Sequence, residues 1–163
     1  SDAPSDTVGV LFFGWAMFAA VDWLYSKIPL RFPNIKICMS EGGLAWVAGL
    51  LDRLDHVGRY QKVYGTWDGI DITPRELMMR NFWFCAIDDP SGLDHRHRIG
   101  IDHICLESDY PHQDGTWPDT QELLREQIGS FPAEDIRKLT WENASKLFEF
   151  PVPVAVQNNP EAY

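Results

Sequence analysis

The chain opens on an unbroken apolar stretch. Val8 to Val21 is 14 residues without a charged side chain, and Asp22 ends it. The pattern predicts a long helix from about Val8 to Leu30, closed by Pro29 and Pro33. Fourteen residues fall short of the roughly 20 that a bilayer span requires. No basic region precedes them, so a signal peptide fits poorly. The segment reads as a buried helix. Ile35–Met39 follows as a short strand candidate running into the turn Ser40-Glu41-Gly42-Gly43. From Leu44 to about Val63 apolar residues fall at 44, 47, 50, 51 and 54, a helical spacing with Asp52, Arg53 and Asp55 between them on the wet face.

Thr73-Pro74-Arg75-Glu76 is a strong helix start: a Thr cap, Pro at the first helical position and Glu three residues after the cap. A short helix then leads to the second strand candidate, Phe82–Ile87. Asp88–Arg98 is a connector that Gly100 ends. The third strand candidate, Asp102–Leu106, delivers Glu107-Ser108-Asp109-Tyr110-Pro111-His112 at its C-terminal end. The rest reads as helices over about 119–128, 132–139 and 141–148, with Glu134 and Asp135 favouring the start of the middle one. The proline-punctuated tail from Pro151 is expected to be an extended arm, which divides the chain into a domain over 1–150 and a tail over 151–163.

Strands alternating with helices define an α/β fold with a parallel sheet. Three strands are an awkward number, because such a sheet leaves its edges unpaired. The chain therefore reads as incomplete, or as one that completes its sheet with another chain.

With 163 residues the expectation is a single domain. Aromatic residues reach 13%, including seven Trp, and that much aromatic surface has to be packed in a core, an interface or a pocket. The formal net charge is −10, which repels a phosphate backbone and an anionic membrane, so neither nucleic acid nor membrane is the expected partner. Cys38, Cys85 and Cys105 are odd in number and form no C-x-x-C pair. Each lies in an apolar, strand-like run and reads as a buried free thiol, which fits a reducing cytoplasm.

Asp109 is the leading chemical candidate. An acid just past the end of a parallel strand occupies the position where barrel active sites are built. A carboxylate there can hold a divalent ion and accept a proton; the alternative is that Asp109 caps a loop or helix. Glu41 holds the same place after the first strand candidate and is expected to face the same mouth, unless its turn is purely structural. His112 follows Asp109 by three residues. His95 and His97 form an H-x-H, but they lie in a connector and, if helical, do not share a face. His56 reads as a surface residue, and His103 as a residue of the opposite, N-terminal end of its strand. Nothing in the sequence forms a G-x-S-x-G elbow, a phosphate-binding G-x-x-x-x-G-K-[ST] loop or a G-x-G-x-x-G fingerprint.

Arg31-Phe32-Pro33-Asn34-Ile35-Lys36-Ile37, Ser40-Glu41-Gly42-Gly43, Trp46, Leu50-Leu51-Asp52-Arg53, Glu107 to His112, Trp117-Pro118, Asn143-Ala144 and Leu147-Phe148 together resemble the amidohydrolase-related proteins. That family includes aminocarboxymuconate semialdehyde decarboxylases and hydroxybenzoate-type decarboxylases. The resemblance covers about residues 8–150. It implies a (β/α)8 TIM barrel carrying a divalent metal, zinc or manganese, with the strand candidates as the sixth, seventh and eighth strands. It also places metal binding and proton transfer on Asp109. The family's H-x-H and a further His would then lie upstream of Ser1, and a catalytic zinc needs about three protein ligands plus a water. Many decarboxylase members carry His where Glu41 stands.

Together these features predict a metal-dependent hydrolase or decarboxylase acting on a small carboxylated or cyclic substrate. Asp109 is the catalytic and metal residue, and Glu41 and His112 are substrate contacts. Trp46 and Trp117 are weaker pocket-wall candidates, with core packing the expected fate of each. The remaining barrel or a second copy of the chain is the expected partner. The competing expectation is a catalytically incomplete fragment that serves as an assembly or binding module.

Overall fold

The computed structural model describes Asp2 and residues 4–60 and 65–157. Three parallel strands lie at its centre: β1 (Ile37–Met39), β2 (Phe82–Ala86) and β3 (Ile104–Leu106), in the order β1-β2-β3. Ile37 pairs with Phe82, and Phe84 with Ile104. Alternation along the strands splits the sheet into two faces. Met39, Phe82, Phe84, Ala86 and Ile104 enter the main core with Leu24, Val47, Leu51 and Leu77 from the helices. Cys38, Trp83, Cys85 and Cys105 take the other face, where Ala144 and Leu147 cover them.

The helices are α1 (Asp6–Tyr25), α2 (Ile28–Arg31), α3 (Ala45–Tyr60), α4 (Pro74–Asn81), α5 (Pro90–Asp94), α6 (Arg96–Ile99), α7 (Thr120–Ile128), α8 (Ala133–Arg137), α9 (Asn143–Phe148) and α10 (Val154–Gln157). Thr73 and Glu76 close a reciprocal capping box on α4, with Pro74 at its first turn, as the spacing predicts. The chemistry of the α3 start is less visible in sequence. Asp89 accepts from the backbone N–H groups of Leu44 and of Ala45 (3.2 Å), and also from that of Gly92 (2.9 Å). One carboxylate thus serves the first turns of α3 and α5 together.

Several expectations are corrected. The first helix is not one buried run to Leu30. Lys27 takes a left-handed conformation and separates α1 from α2. Only Ala20 and Leu24 of α1 are buried, whereas Val10, Trp15 and Phe18 are exposed. An all-round apolar helix gives no face preference, so the sequence could not tell buried positions from uncovered ones. At 20 residues and a mean hydropathy of 1.6, α1 is long and apolar enough to cross a membrane by length and composition. The helices expected over 132–139 and 141–148 are one continuous helical run in which Lys138–Glu142 widens into a π-helical turn. The tail from 151 is not wholly extended, since α10 forms one turn there. The end of the helix predicted from Leu44 to Val63 lies outside the described residues from position 61 on.

Buried asparagines tie the N-terminal ends of the strands. Asn81 Nδ2 donates to the carbonyls of Pro33 (3.0 Å) and Ile35 (2.7 Å), ahead of β1. Asn143 Nδ2 donates to those of Ile101 and Ile104, both at 2.7 Å, where β3 begins.

Candidate active site

The candidate site is built on the opposite, C-terminal ends of the strands. Past β1 the chain turns through Ser40–Gly43, with Glu41 at φ 56° and Gly43 at φ 69°. The left-handed region suits glycine but costs any residue bearing a Cβ about 1–2 kcal/mol, so the Glu41 conformation needs support. The Glu107 carboxylate provides it: one oxygen accepts from the Glu41 backbone N–H, the other from Ser40 Oγ at 2.7 Å. Glu107 itself extends the ladder, its N–H donating to the Ala86 carbonyl at 3.0 Å.

Past β3, Asp109 also adopts a left-handed backbone, at φ 55°. The loop then folds back: His112 N donates to Asp109 O (2.8 Å), Gly115 N to His112 O (3.1 Å) and Thr116 N to Ser108 O (3.0 Å). A Cβ at Gly115 would stand 2.6 Å from the Ser108 carbonyl oxygen, so only glycine permits this closure.

The Asp109 carboxylate, 13% exposed, meets Nδ1 of His112 at 2.6 Å. This hydrogen bond, with the Asp109 charge and the lesser fields of Glu41 and Asp114, raises the His112 pKa above its ordinary 6.5. Glu41, Asp109 and His112 each offer a donor atom, and the three atoms lie within 4.8 Å of one another. Two carboxylates and an imidazole are a donor set suited to zinc or manganese. Bonds of about 2.0–2.2 Å hold zinc ligands roughly 3–3.5 Å apart, so small side-chain rotations would close this cluster on an ion. Beside it, sharing Glu41, a cavity of about 370 Å³ opens between Phe12, Phe13, Trp46, Asp89 and Asp114.

The other candidates lie elsewhere. His97 Nε2 faces Asp135 (2.9 Å), a carboxylate that also accepts from Arg96 Nε (2.7 Å). His95 Nδ1 contacts the Ser91 carbonyl. His56 is exposed on α3, and His103 contacts the Phe82 carbonyl at the N-terminal end of β2. Trp46 is buried, donates from Nε1 to the Gly42 carbonyl (2.7 Å) and also lines the cavity. Trp117 does not enter the core: it is 66% exposed and meets Tyr110 edge-on. The three thiols are free; Cys85 and Cys105 are buried as expected, whereas Cys38, on the edge strand β1, is only half-buried, and the thiols are not isolated. Cys38 and Cys85 Sγ stand 3.4 Å apart. Hydrogen bonds with Cys105 and Cys38, together with burial, push the Cys85 thiol far above its usual range.

A sequence profile described as amidohydrolase matches residues 5–150. The chain belongs to the amidohydrolase family. Its mixed α/β structure is similar to the crystal structure of an amidohydrolase from Mycobacterium avium subsp. paratuberculosis, with a TM-score of 0.64 and 27% sequence identity. That similarity covers 78% of this chain and 32% of the solved one, so the chain spans about a third of that relative. No curated protein matches the chain. The three-stranded parallel sheet is consistent with part of an amidohydrolase barrel. The family match over residues 5–150 includes all of α1, so this helix is part of the amidohydrolase domain.

Glu107, Ser40 and Asp89 are residues of the candidate site that sequence reasoning left without a role. Strand alternation offered a signal for the first of these: Glu107 lies two residues past Cys105, on the same face, and two before Asp109.

Proposed function

We propose that this chain supplies part of the active site of a metal-dependent hydrolase or decarboxylase acting on a small carboxylated or cyclic organic molecule. One observation carries the proposal: Asp109, Glu41 and His112, from loops after different strands, converge within 4.8 Å at the end of the sheet where barrel enzymes work. The strands take the places of the sixth, seventh and eighth in the barrel.

In this reading Asp109 and Glu41 hold the divalent ion, zinc or manganese, with His112. A bound ion supplies Lewis-acid polarisation and lowers the pKa of water. The Asp109 carboxylate accepts a proton near the reacting atoms, and its 2.6 Å contact with His112 Nδ1 orients it. The adjoining cavity, at about 370 Å³, is within the range of small-molecule sites. Phe12, Phe13 and Trp46 give it an apolar wall on which a ring can lie. The free thiols fit a reducing, cytoplasmic setting.

The test is metal content. The purified protein is expected to carry stoichiometric zinc or manganese, and Asp109→Ala to lose it while staying folded. A second reading draws on the uncovered apolar side of α1, where Val10 is 71% and Phe18 68% exposed. There the chain is an assembly module that another part of the barrel, or a second copy, covers. A well-folded oligomer that takes up no metal would favour that reading and end the first.

A further inference from the structure

Asp109 and Glu41 reach the site from loops that follow β3 and β1, and these strands are not neighbours. β2 lies between them and forms hydrogen bonds with each. The ladder alone therefore does not set the distance between the two loops. Among the described residues, the hydrogen bonds joining the loop after β1 to the loop after β3 all end on Glu107. Its carboxylate accepts from Ser40 Oγ at 2.7 Å and from the backbone N–H of Glu41.

We infer that Glu107 is the positioning residue of the site: its carboxylate straps the β1 loop to the β3 loop and so holds the Glu41 side chain beside Asp109 and His112. The inference rests on the metal-site reading above and adds a role for a residue outside the ligand cluster. Glu107 satisfies two donors at once. One is the N–H of a residue held in the left-handed region at φ 56°, a conformation that needs an outside partner to persist. The other is the hydroxyl of the residue before it. With both of its oxygens engaged in this way, Glu107 orients the loop and leaves ligation to its neighbours. Partners of this kind set the approach of metal ligands without touching the ion.

A carboxylate that acts by shape differs from one that acts by charge. In Glu107→Gln the amide oxygen can still accept from Glu41 N–H. The amide NH2 can donate to Ser40 Oγ, because a hydroxyl both donates and accepts. The strap thus survives the loss of charge. Glu107→Ala removes it.

The experiment titrates the full-length protein and its variants with Mn(II) alone, counting free ion by electron paramagnetic resonance and checking folding by circular dichroism. Glu107→Ala is expected to weaken Mn(II) binding about tenfold or more, and Glu107→Gln to restore affinity close to that of the unaltered protein. Unchanged affinity in Glu107→Ala overturns the inference. Equal weakening in Glu107→Ala and Glu107→Gln overturns it too, since the residue would then act by charge or as a ligand. If Glu107→Ala does not fold, Ser40→Ala decides: weaker binding supports the strap and unchanged binding refutes it. Asp109→Ala separates the two levels. Mn(II) retained there sinks the site itself. Mn(II) lost there but unaffected by Glu107→Ala sinks only the role of Glu107.

Discussion

The two ends of the sheet solve the same problem with opposite chemistry. At the N-terminal end, neutral amides donate to backbone carbonyls: Asn81 to Pro33 and Ile35, Asn143 to Ile101 and Ile104. Both asparagines are buried. At the C-terminal end, anionic carboxylates accept from backbone N–H groups: Asp89 from Leu44, Ala45 and Gly92, Glu107 from Glu41. The neutral end has no strained non-glycine turn at its two asparagines, whereas the anionic end holds Glu41 and Asp109 left-handed. The difference teaches where the molecule tolerates cost. The buried amides fasten strand entries, whereas Glu41 and Asp109, left-handed and anionic, stand together at the end that carries the candidate site.

The largest stability effect expected in this comparison comes from the quiet end. Asn143→Ala removes two hydrogen bonds and leaves two buried carbonyls without their partner. It also removes Oδ1, a buried atom that has no partner in the protein, which offsets part of the loss. The net expectation is about 2–3 kcal/mol of destabilisation, read by chemical denaturation, with Mn(II) affinity of the folded protein unchanged. A variant that lost affinity while keeping its stability would erase the division between the ends.

Glu41→Gly makes the converse test. Glycine relieves a left-handed penalty of about 1–2 kcal/mol and gives back roughly 0.5–1 kcal/mol as chain entropy. The protein should become more stable by about 0.5 kcal/mol while its Mn(II) binding weakens. Loss of both stability and binding would mean that Glu41 belongs to the fold's own fastening.

The order of elements was legible in the sequence because each left a local pattern. Thr73-Pro74-Arg75-Glu76 marks a cap, and Phe82–Ala86 an apolar run with the right flanks. Asp109 was legible as a candidate through its place after β3, and the amidohydrolase resemblance agrees with the family match over residues 5–150. What stayed hidden depends on distance through space. The bond from Glu107 to Ser40 spans 67 residues, and that from Asp89 to Ala45 spans 44; neither spacing has a motif. Cys38, Cys85 and Cys105 look unrelated in the sequence because their meeting follows from strand register. The exposure of α1 was illegible for another reason: apolar residues on every side predict burial wherever a neighbour exists, and they do not say where that neighbour is.

The smallest effect concerns His112, and its sign can be worked out. The hydrogen bond to Asp109 comes first, then the Asp109 charge, and both raise the His112 pKa; burial opposes them, and Glu41 and Asp114 each add a smaller rise. A histidine raised in the folded state contributes stability that is complete below its ordinary value of 6.5. That contribution is lost as pH rises through the raised value. Ion binding runs the other way, because a proton on the imidazole competes with the metal. Mn(II) affinity should therefore fall as pH drops through the same raised value, although the fold gains from the same protonation. Resonance titration of the His112 ring in the metal-free protein checks this directly. Asp109→Asn should bring the midpoint down towards 6.5. A midpoint that Asp109→Asn leaves in place would show that the 2.6 Å contact does not govern the imidazole, and that the anionic end acts on His112 only as a diffuse field.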